Sequence, residues 1–273
     1  MNTVCVTLRL NNPADADTLT ALLDLEGLQG SEEREGLLLA YFPQESYDRD
    51  AVQKIAGEWA KWEAENLIAE QNWNAEWESN FPPIRVNDRV NVRAHFHEPA
   101  PDVEFDLLIT PKMSFGTGHH ETTRMMLEYL SEADCRNKQV LDFGCGTGVL
   151  AILASRMGAA ACVATDNDPW CVDNTRENAR ANNCSNITAS DDTLDALQGP
   201  FDLILGNINL NVLLESLPRL YELLKPGGDF YLSGILQSDL PVMENALFRQ
   251  GFSKESVKTM GQWAAIHSKK CNI

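Results

Sequence analysis

The run Val140-Leu-Asp142-Phe-Gly144-Cys-Gly146-Thr-Gly148-Val-Leu-Ala151 decides the fold. An apolar strand passes through three alternate glycines into a helix. Glycines at such a turn let the backbone bend sharply and approach a ligand closely. A dinucleotide fingerprint needs G-x-G-x-x-G, but Val149 stands where the third glycine would fall. A phosphate-binding P-loop needs Gly-Lys-Ser/Thr, and no lysine follows these glycines. From Gln139 onward the apolar pattern alternates regularly. Strand QVLDFGC leads to helix GVLAILASRMGA, strand ACVATDND, helix PWCVDNTRENARANN and strand NITASDD. Strand FDLILGNI, helix NVLLESLPRLYELL, the turn KPGG, strand DFYLSGIL and helix SDLPVMENALFRQ follow. Strands ESVKTM and WAAIHSK then form an antiparallel pair. This alternation predicts a mostly parallel, doubly wound α/β sheet. Its ligand site lies beyond the carboxyl ends of the strands.

The remaining pattern, D-x-G-x-G-x-G, is shared by methyltransferases that use S-adenosylmethionine. The second strand ends at Asp166, 22 residues after Gly144 (166 − 144). A carboxylate there can accept hydrogen bonds from both hydroxyls of a ribose. Asp168 precedes Pro169 and suits the cap of the next helix. Asp191 and Asp192 close the third strand, either meeting an adenine amino group or forming a turn or cap. The fourth strand delivers Asn207 to the mouth of the sheet, and Asn209 and Asn211 follow in the loop. An amide carries both acceptor and donors, so Asn207 either orients an amine beside a cofactor methyl or caps the next helix. Cys145 reads as a small residue filling the turn rather than a nucleophile, because no partner is evident.

The 273 residues suffice for a large domain and a small one. A composition of 44% hydrophobic and 23% charged residues argues for a packed core and against disorder. No basic, then apolar leader opens the chain, and no stretch of eighteen apolar residues spans a membrane. Seven scattered cysteines without a C-x-x-C pair argue against a disulfide framework or structural zinc, and suit a reducing cytoplasm. A net charge of −18 disfavours direct nucleic-acid binding. Residues 1–80 hold 16 acidic and 5 basic side chains, a net of −11 (5 − 16). That region is either a solubility surface or a docking face for a basic partner. Strand 4–10, helix 13–27, strand 37–42 and a helix from Asp48 carrying Val52, Ile55, Trp59 and Trp62 predict a small α+β unit over 1–62. A linker over 63–85 contains Trp73, Trp77 and the Pro82–Pro83 pair. In RVNVRAHF, Val90, Val92, Ala94 and Phe96 share one strand face, with His95 and His97 on the solvated one. No metal site is expected.

A second glycine-rich stretch, FGTGHHETT (115–123), precedes the first. Gly116 and Gly118 make a flexible loop, and Thr122 or Thr123 suits the cap of the helix TTRMMLEYL. The N-terminus of that helix favours an anion such as a cofactor carboxylate. His119 and His120 are either a catalytic base or loop packing.

FGTGHHETT, DFGCGTGVLA, TDNDP and NIN, in this order and spacing, resemble the PrmA family of ribosomal protein methyltransferases, which modify large-subunit protein eleven. The acidic N-terminal region and NWNAEWESNFPPI share the resemblance, so it covers nearly the whole chain. It implies a seven-stranded class I S-adenosylmethionine-dependent methyltransferase domain over 86–273, behind a ferredoxin-like substrate-recognition domain and a hinging linker. It implies Thr123, Gly144, Asp166 and Asn207 as cofactor-contacting positions. The expected activity is methylation of lysine ε-amines and the N-terminal α-amine of a basic ribosomal protein by a cytoplasmic monomer. The chain departs from the family's usual loop at HHE and from its usual continuation at NINLN, while Thr123 and Asn207 stay in place. Competing readings are the same chemistry on another protein or a small molecule, a nucleotide-dependent oxidoreductase, and a non-catalytic cofactor-binding module. Val149 weighs against the oxidoreductase.

Overall fold

The computed structural model describes residues 2–68, 81–110, 112 and 114–272. The chain divides into two compact units, Met1–Asn80 and Phe81–Ile273. The expected linker residues Trp73 and Trp77 lie outside the described residues.

The first unit runs β1 (Thr3–Leu10), α1 (Ala16–Asp24), β2 (Gly30–Arg34), β3 (Leu37–Pro43), α2 (Arg49–Trp59) and β4 (Ala60–Ile68). The strands form an antiparallel sheet in the order β2-β3-β1-β4. Alternation puts Val4, Val6, Leu8 and Leu10 on one face of β1, where they join Leu19 and Leu23 of α1 and Val52 and Ala56 of α2 in one core. Asp48 starts α2 by accepting the amide hydrogens of Asp50 at 3.0 Å and Ala51 at 3.1 Å.

Two features of this unit differ from the sequence expectation. Trp62 is not on the helix: it lies in β4 opposite Leu8 of β1. Ala60, Trp62 and Ala64 alternate with Lys61, Glu63 and Glu65, a period of two that pairing with β1 makes decisive. The sheet therefore continues to Ile68, past residue 62 and into the span read as linker. Strand β2, GSEER, carries little β propensity. It is held by a two-residue hairpin turn in which Glu35 (φ 50°) and Gly36 (φ 77°) are both left-handed.

The second unit opens with a small sheet of β5 (Ile84–Val86), β6 (Val90–Arg93) and β7 (Phe105–Leu108). Strand β6 is shorter than its alternation suggested. It ends at Arg93, and the chain turns so that His97 Nδ1 accepts the Ala94 amide hydrogen at 3.1 Å. Its polar face is covered too, because buried Asn91 donates to Asp106 at 2.8 Å.

After α3 (Glu121–Glu132) comes the large sheet with its helices. These are β8 (Gln139–Phe143), α4 (Val149–Arg156), β9 (Ala161–Thr165), α5 (Pro169–Ala181), β10 (Ile187–Ser190) and β11 (Phe201–Asn207). The chain finishes with α6 (Leu210–Leu223), β12 (Leu224–Leu236), α7 (Leu240–Gln250), β13 (Phe252–Met260) and β14 (Trp263–Lys270). The strand order is β10-β9-β8-β11-β12-β14-β13, parallel except that β14 runs against both neighbours. KPGG does not separate α6 from the strand. It lies within β12, where the pairing with β11 jumps from Leu224 to Asp229.

Each face of the sheet has its own core. Val140, Leu203 and Leu205 pack toward α3, α4 and α5, whereas Leu141, Ile204 and Phe230 pack toward α6 and α7. The chain reverses its direction of winding between β8 and β11. A ligand cleft belongs beyond the carboxyl ends of those two strands.

Candidate active site

At that position the ends of β8 to β11 and the loop before α3 enclose a cleft of about 750 Å³. Its floor is the glycine loop, where Gly144, Gly146 and Gly148 have φ of 74°, 55° and 77°. The amides of Gly144 and Cys145 donate to the Thr165 carbonyl at 2.8 and 3.0 Å, folding the loop over the end of β9. A Cβ on Gly144 would come within 3.0 Å of Ile208 Cδ1, so the space there exists only without a side chain.

Gly146 is needed for a different reason. A Cβ there would lie 2.2 Å from the Phe115 carbonyl oxygen, which belongs to the preceding glycine-rich stretch. Thr147 ties the two loops together: its amide donates to that carbonyl at 2.9 Å and its hydroxyl to the Gly116 carbonyl at 2.7 Å. The two stretches are one interlocked structure.

Two acidic residues hold the loop from below and beside. Buried Asp142 accepts the Ala151 amide hydrogen at 3.0 Å with Oδ2, while its Oδ1 has no partner among the described residues. Burial pushes its carboxyl up to about 7, the Ala151 hydrogen bond opposing and the Asp166 charge adding to the rise. Asp166 sits at the rim, accepting the Gly146 amide hydrogen at 2.9 Å and the Asp168 amide hydrogen at 3.1 Å. Asp168 caps α5 through the Trp170 amide at 2.9 Å, as its place before Pro169 implied. Asp191 and Asp192 line the cleft beyond β10. Cys145 is buried with its sulfur 3.3 Å from the Thr175 hydroxyl, and burial raises its thiol well above the ordinary value. It fills the turn.

Asn207, the last residue of β11, also lines the cleft. Its Nδ2 donates to the Thr123 hydroxyl at 3.1 Å, and its Oδ1 is buried without a partner among the described residues. The helix-capping role open to Asn207 is taken by Asn209, which accepts the Val212 amide hydrogen at 3.1 Å. Asn211 lies inside α6 rather than in the loop.

The start of α3 corrects a further expectation. Neither Thr122 nor Thr123 caps it; both are buried within the first turn, and Thr123 reaches the cleft only through Asn207. The cap is His120, whose Nδ1 accepts the Thr122 amide hydrogen at 3.3 Å and lies 2.9 Å from the Thr122 hydroxyl. An amide only donates, so Nδ1 is the unprotonated ring nitrogen. His119 packs instead. Its ring lies 4.2 Å from that of Phe81, Nε2 donates to the Pro82 carbonyl at 3.0 Å, and burial lowers its pKa.

Two sets of residues in and around the site escaped the sequence reading. Trp263 begins β14, 56 positions after Asn207 (263 − 207), and its ring stands 4.8 Å from that of His120. Asn178 of α5 and Asn182, which caps its C-terminal end, are buried four positions apart and bind the backbone of Thr110, Thr147 and Leu108. Asparagine at i and i+4 across the end of the helix was the available signal. Among the described residues no three His, Cys, Asp or Glu side chains cluster as metal ligands.

A glycine loop after the first strand of this sheet, an acid after the second and an amide after the fourth define a nucleotide-cofactor methyltransferase of the doubly wound class. The family description "Ribosomal protein L11 methyltransferase (PrmA)" matches residues 5–271, and the chain belongs to that family. The ribosomal protein L11 methyltransferase of Bacteroides fragilis is 37% identical over 92% of both chains. That of Porphyromonas gingivalis is 39% identical over 92% of this chain and 89% of its own. A crystal structure of ribosomal protein L11 methylase from Lactobacillus delbrueckii subsp. bulgaricus matches with a TM-score of 0.66 at 27% identity, covering 70% of this chain and 100% of that one. The protein is therefore an S-adenosylmethionine-dependent methyltransferase.

Proposed function

We propose that this enzyme methylates amino groups, lysine ε-amines and the N-terminal α-amine, of the basic ribosomal protein for which its relatives are named. The observation that carries this reading is the buried, unpartnered Oδ1 of Asn207 on the cleft wall. Its Nδ2 donates to the Thr123 hydroxyl at 3.1 Å, which holds the side chain at the cleft wall. An unpartnered amide oxygen matches an amine N–H.

The residues present fit the cofactor. Gly144 leaves room that a Cβ would fill, Asp166 offers a carboxylate suited to ribose hydroxyls, and Asp191 and Asp192 line the same cleft. Gly144, Asp166 and Asn207 would hold it directly, with Thr123 one layer behind. S-adenosylmethionine, when bound, supplies a sulfonium methyl: the N–C bond forms as the S–C bond breaks, an uncharged thioether leaves, and the new ammonium sheds a proton. The chain's part is to select and aim the nucleophile. Free lysine has a pKa of about 10.4, so the cleft must admit the neutral amine, and Asn207 Oδ1 would take one N–H and aim the lone pair. Asparagine cannot act as a base, so the proton leaves through water. Positioning of this kind supplies roughly 7–11 kcal/mol of a barrier.

The first unit, read as a ferredoxin-like recognition module, is supported by its β-α-β-β-α-β order and by the −11 charge of residues 1–80. All seven cysteines are unpaired, which supports a reducing, cytoplasmic setting. Incubating the enzyme with methyl-labelled cofactor and the purified ribosomal protein tests the proposal. Label is expected in methylated lysine and at the N-terminus, and its absence from both rejects the substrate.

A further inference from the structure

On its way from β7 to the cleft the chain passes along α5, and a ladder of buried asparagines sets its register. Asn182 accepts the Leu108 amide hydrogen at 2.9 Å and donates to the Leu108 carbonyl at 2.7 Å. Four positions earlier, Asn178 Oδ1 accepts the Thr110 amide hydrogen at 3.0 Å. Four helical residues rise about 6 Å and two extended residues advance about 6.6 Å, so the two backbones keep step. The next step sets Lys112 opposite Asn174. Two further bonds agree with that register: the Lys112 ammonium pairs with Glu177, and Ser114 bonds the Cys171 thiol.

This rung of the ladder is open. Asn174 is 1% exposed and its Oδ1 accepts from Asn178 Nδ2 at 3.3 Å, yet its own Nδ2 has no partner among the described residues. A buried N–H without an acceptor is costly, so a second arrangement that supplies one lies close in free energy. The same stretch of helix also holds the glycine loop. Asn178 Nδ2 donates to the Thr147 carbonyl at 2.9 Å, and the Thr175 hydroxyl to the Gly146 carbonyl at 3.0 Å. Phe115, one residue after Ser114, and Cys171 of α5 both line the cleft. A ligand there meets both sides of the open rung.

We infer that Asn174 is a positioning residue for the cofactor: when the cleft is filled, its Nδ2 takes the Lys112 carbonyl and completes the ladder. Contacts with Phe115 and Cys171 select the closed arrangement, and by reciprocity the closed rung strengthens cofactor binding. The inference depends on the cofactor and not on which amine is methylated.

Asn174→Leu in the full-length protein tests it. The substitution removes the open donor at nearly constant volume, and Asn178 keeps Thr147 as its acceptor. Without ligand, the urea midpoint should equal or exceed that of the wild type, because an orphaned N–H has gone. Calorimetric binding of S-adenosylhomocysteine should weaken about tenfold, the scale of one buried hydrogen bond. A residue that merely supported the helix would give the reverse, a lower midpoint with unchanged affinity. Unchanged affinity overturns the inference, whatever the midpoint.

The wild type supplies a reading that does not depend on the variant's stability. With asparagine side-chain nitrogens labelled, saturation with S-adenosylhomocysteine should move the Asn174 amide proton signal downfield and slow its exchange with solvent. A signal that keeps its position and exchange rate overturns the inference, even where Asn174→Leu lowers both stability and affinity.

Discussion

Asn207 and Asn209 are two positions apart, yet the fold gives them unrelated work. Asn207 is anchored through Thr123 and lines the cleft, whereas Asn209 holds the first turn of α6. Asn207→Ala should lower kcat/KM by about a hundredfold, the scale of a misaligned nucleophile, with little change in stability. Asn209→Ala should cost about 1 kcal/mol in urea unfolding, the scale of a lost cap. Glycines differ in the same way. Gly146→Ala should abolish calorimetric cofactor binding, because its Cβ meets a backbone carbonyl at 2.2 Å, whereas Gly36 has the same left-handed φ and open space around it. Asp142 makes a pH prediction. Its folded carboxyl titrates near 7, above its ordinary 3.8, so the folded state binds the proton more tightly than the unfolded one. Stability from this group is therefore lost as pH rises from about 4 to 7, by a few kcal/mol at most. Denaturant midpoints of wild type and Asp142→Asn across that range should converge or cross, and parallel curves would refute the assignment.

Among the elements, the contact between the two glycine-rich loops matters most. Each was recognisable in the sequence, but their interlocking through Phe115, Gly116, Gly146 and Thr147 was not, because it joins residues about thirty positions apart. Thr147→Val keeps the shape and removes the hydroxyl bond to Gly116. Hydrogen exchange at Phe115–Gly118 should speed up by roughly tenfold, the scale of one buried hydrogen bond; unchanged protection would show that the tie does not hold the loop. Helix α3 carries a related lesson. Ser, Thr, Asp and Asn are the usual caps, so the threonines of HHETT were the natural choice. Burial of both and the bond from Asn207 to Thr123 left His120 to do the capping.

At the scale of the whole molecule, each unit carries its own core, and the negative charge is concentrated in the first. If residues 1–80 recruit a basic protein, raising ionic strength from 50 to 300 mM should raise KM for that substrate several-fold through screening. The cofactor dissociation constant should move far less. A KM insensitive to salt would make the acidic surface a matter of solubility alone. Among the described residues no helix is long and apolar enough to cross a membrane.

The sequence by itself determined the doubly wound sheet, the glycine loop, the acid after β9 and the amide after β11. All of these depend on periodicity and on spacing within one strand–turn–helix step, which are local properties. Only the tertiary structure decided that Trp62 is a strand residue and that His120 is the cap. The same is true of Trp263 beside His120 and of the free oxygen of Asn207. Each depends on a partner distant in sequence whose hydrogen bond or packing outweighs local preference, and that competition is settled only when the chain is folded.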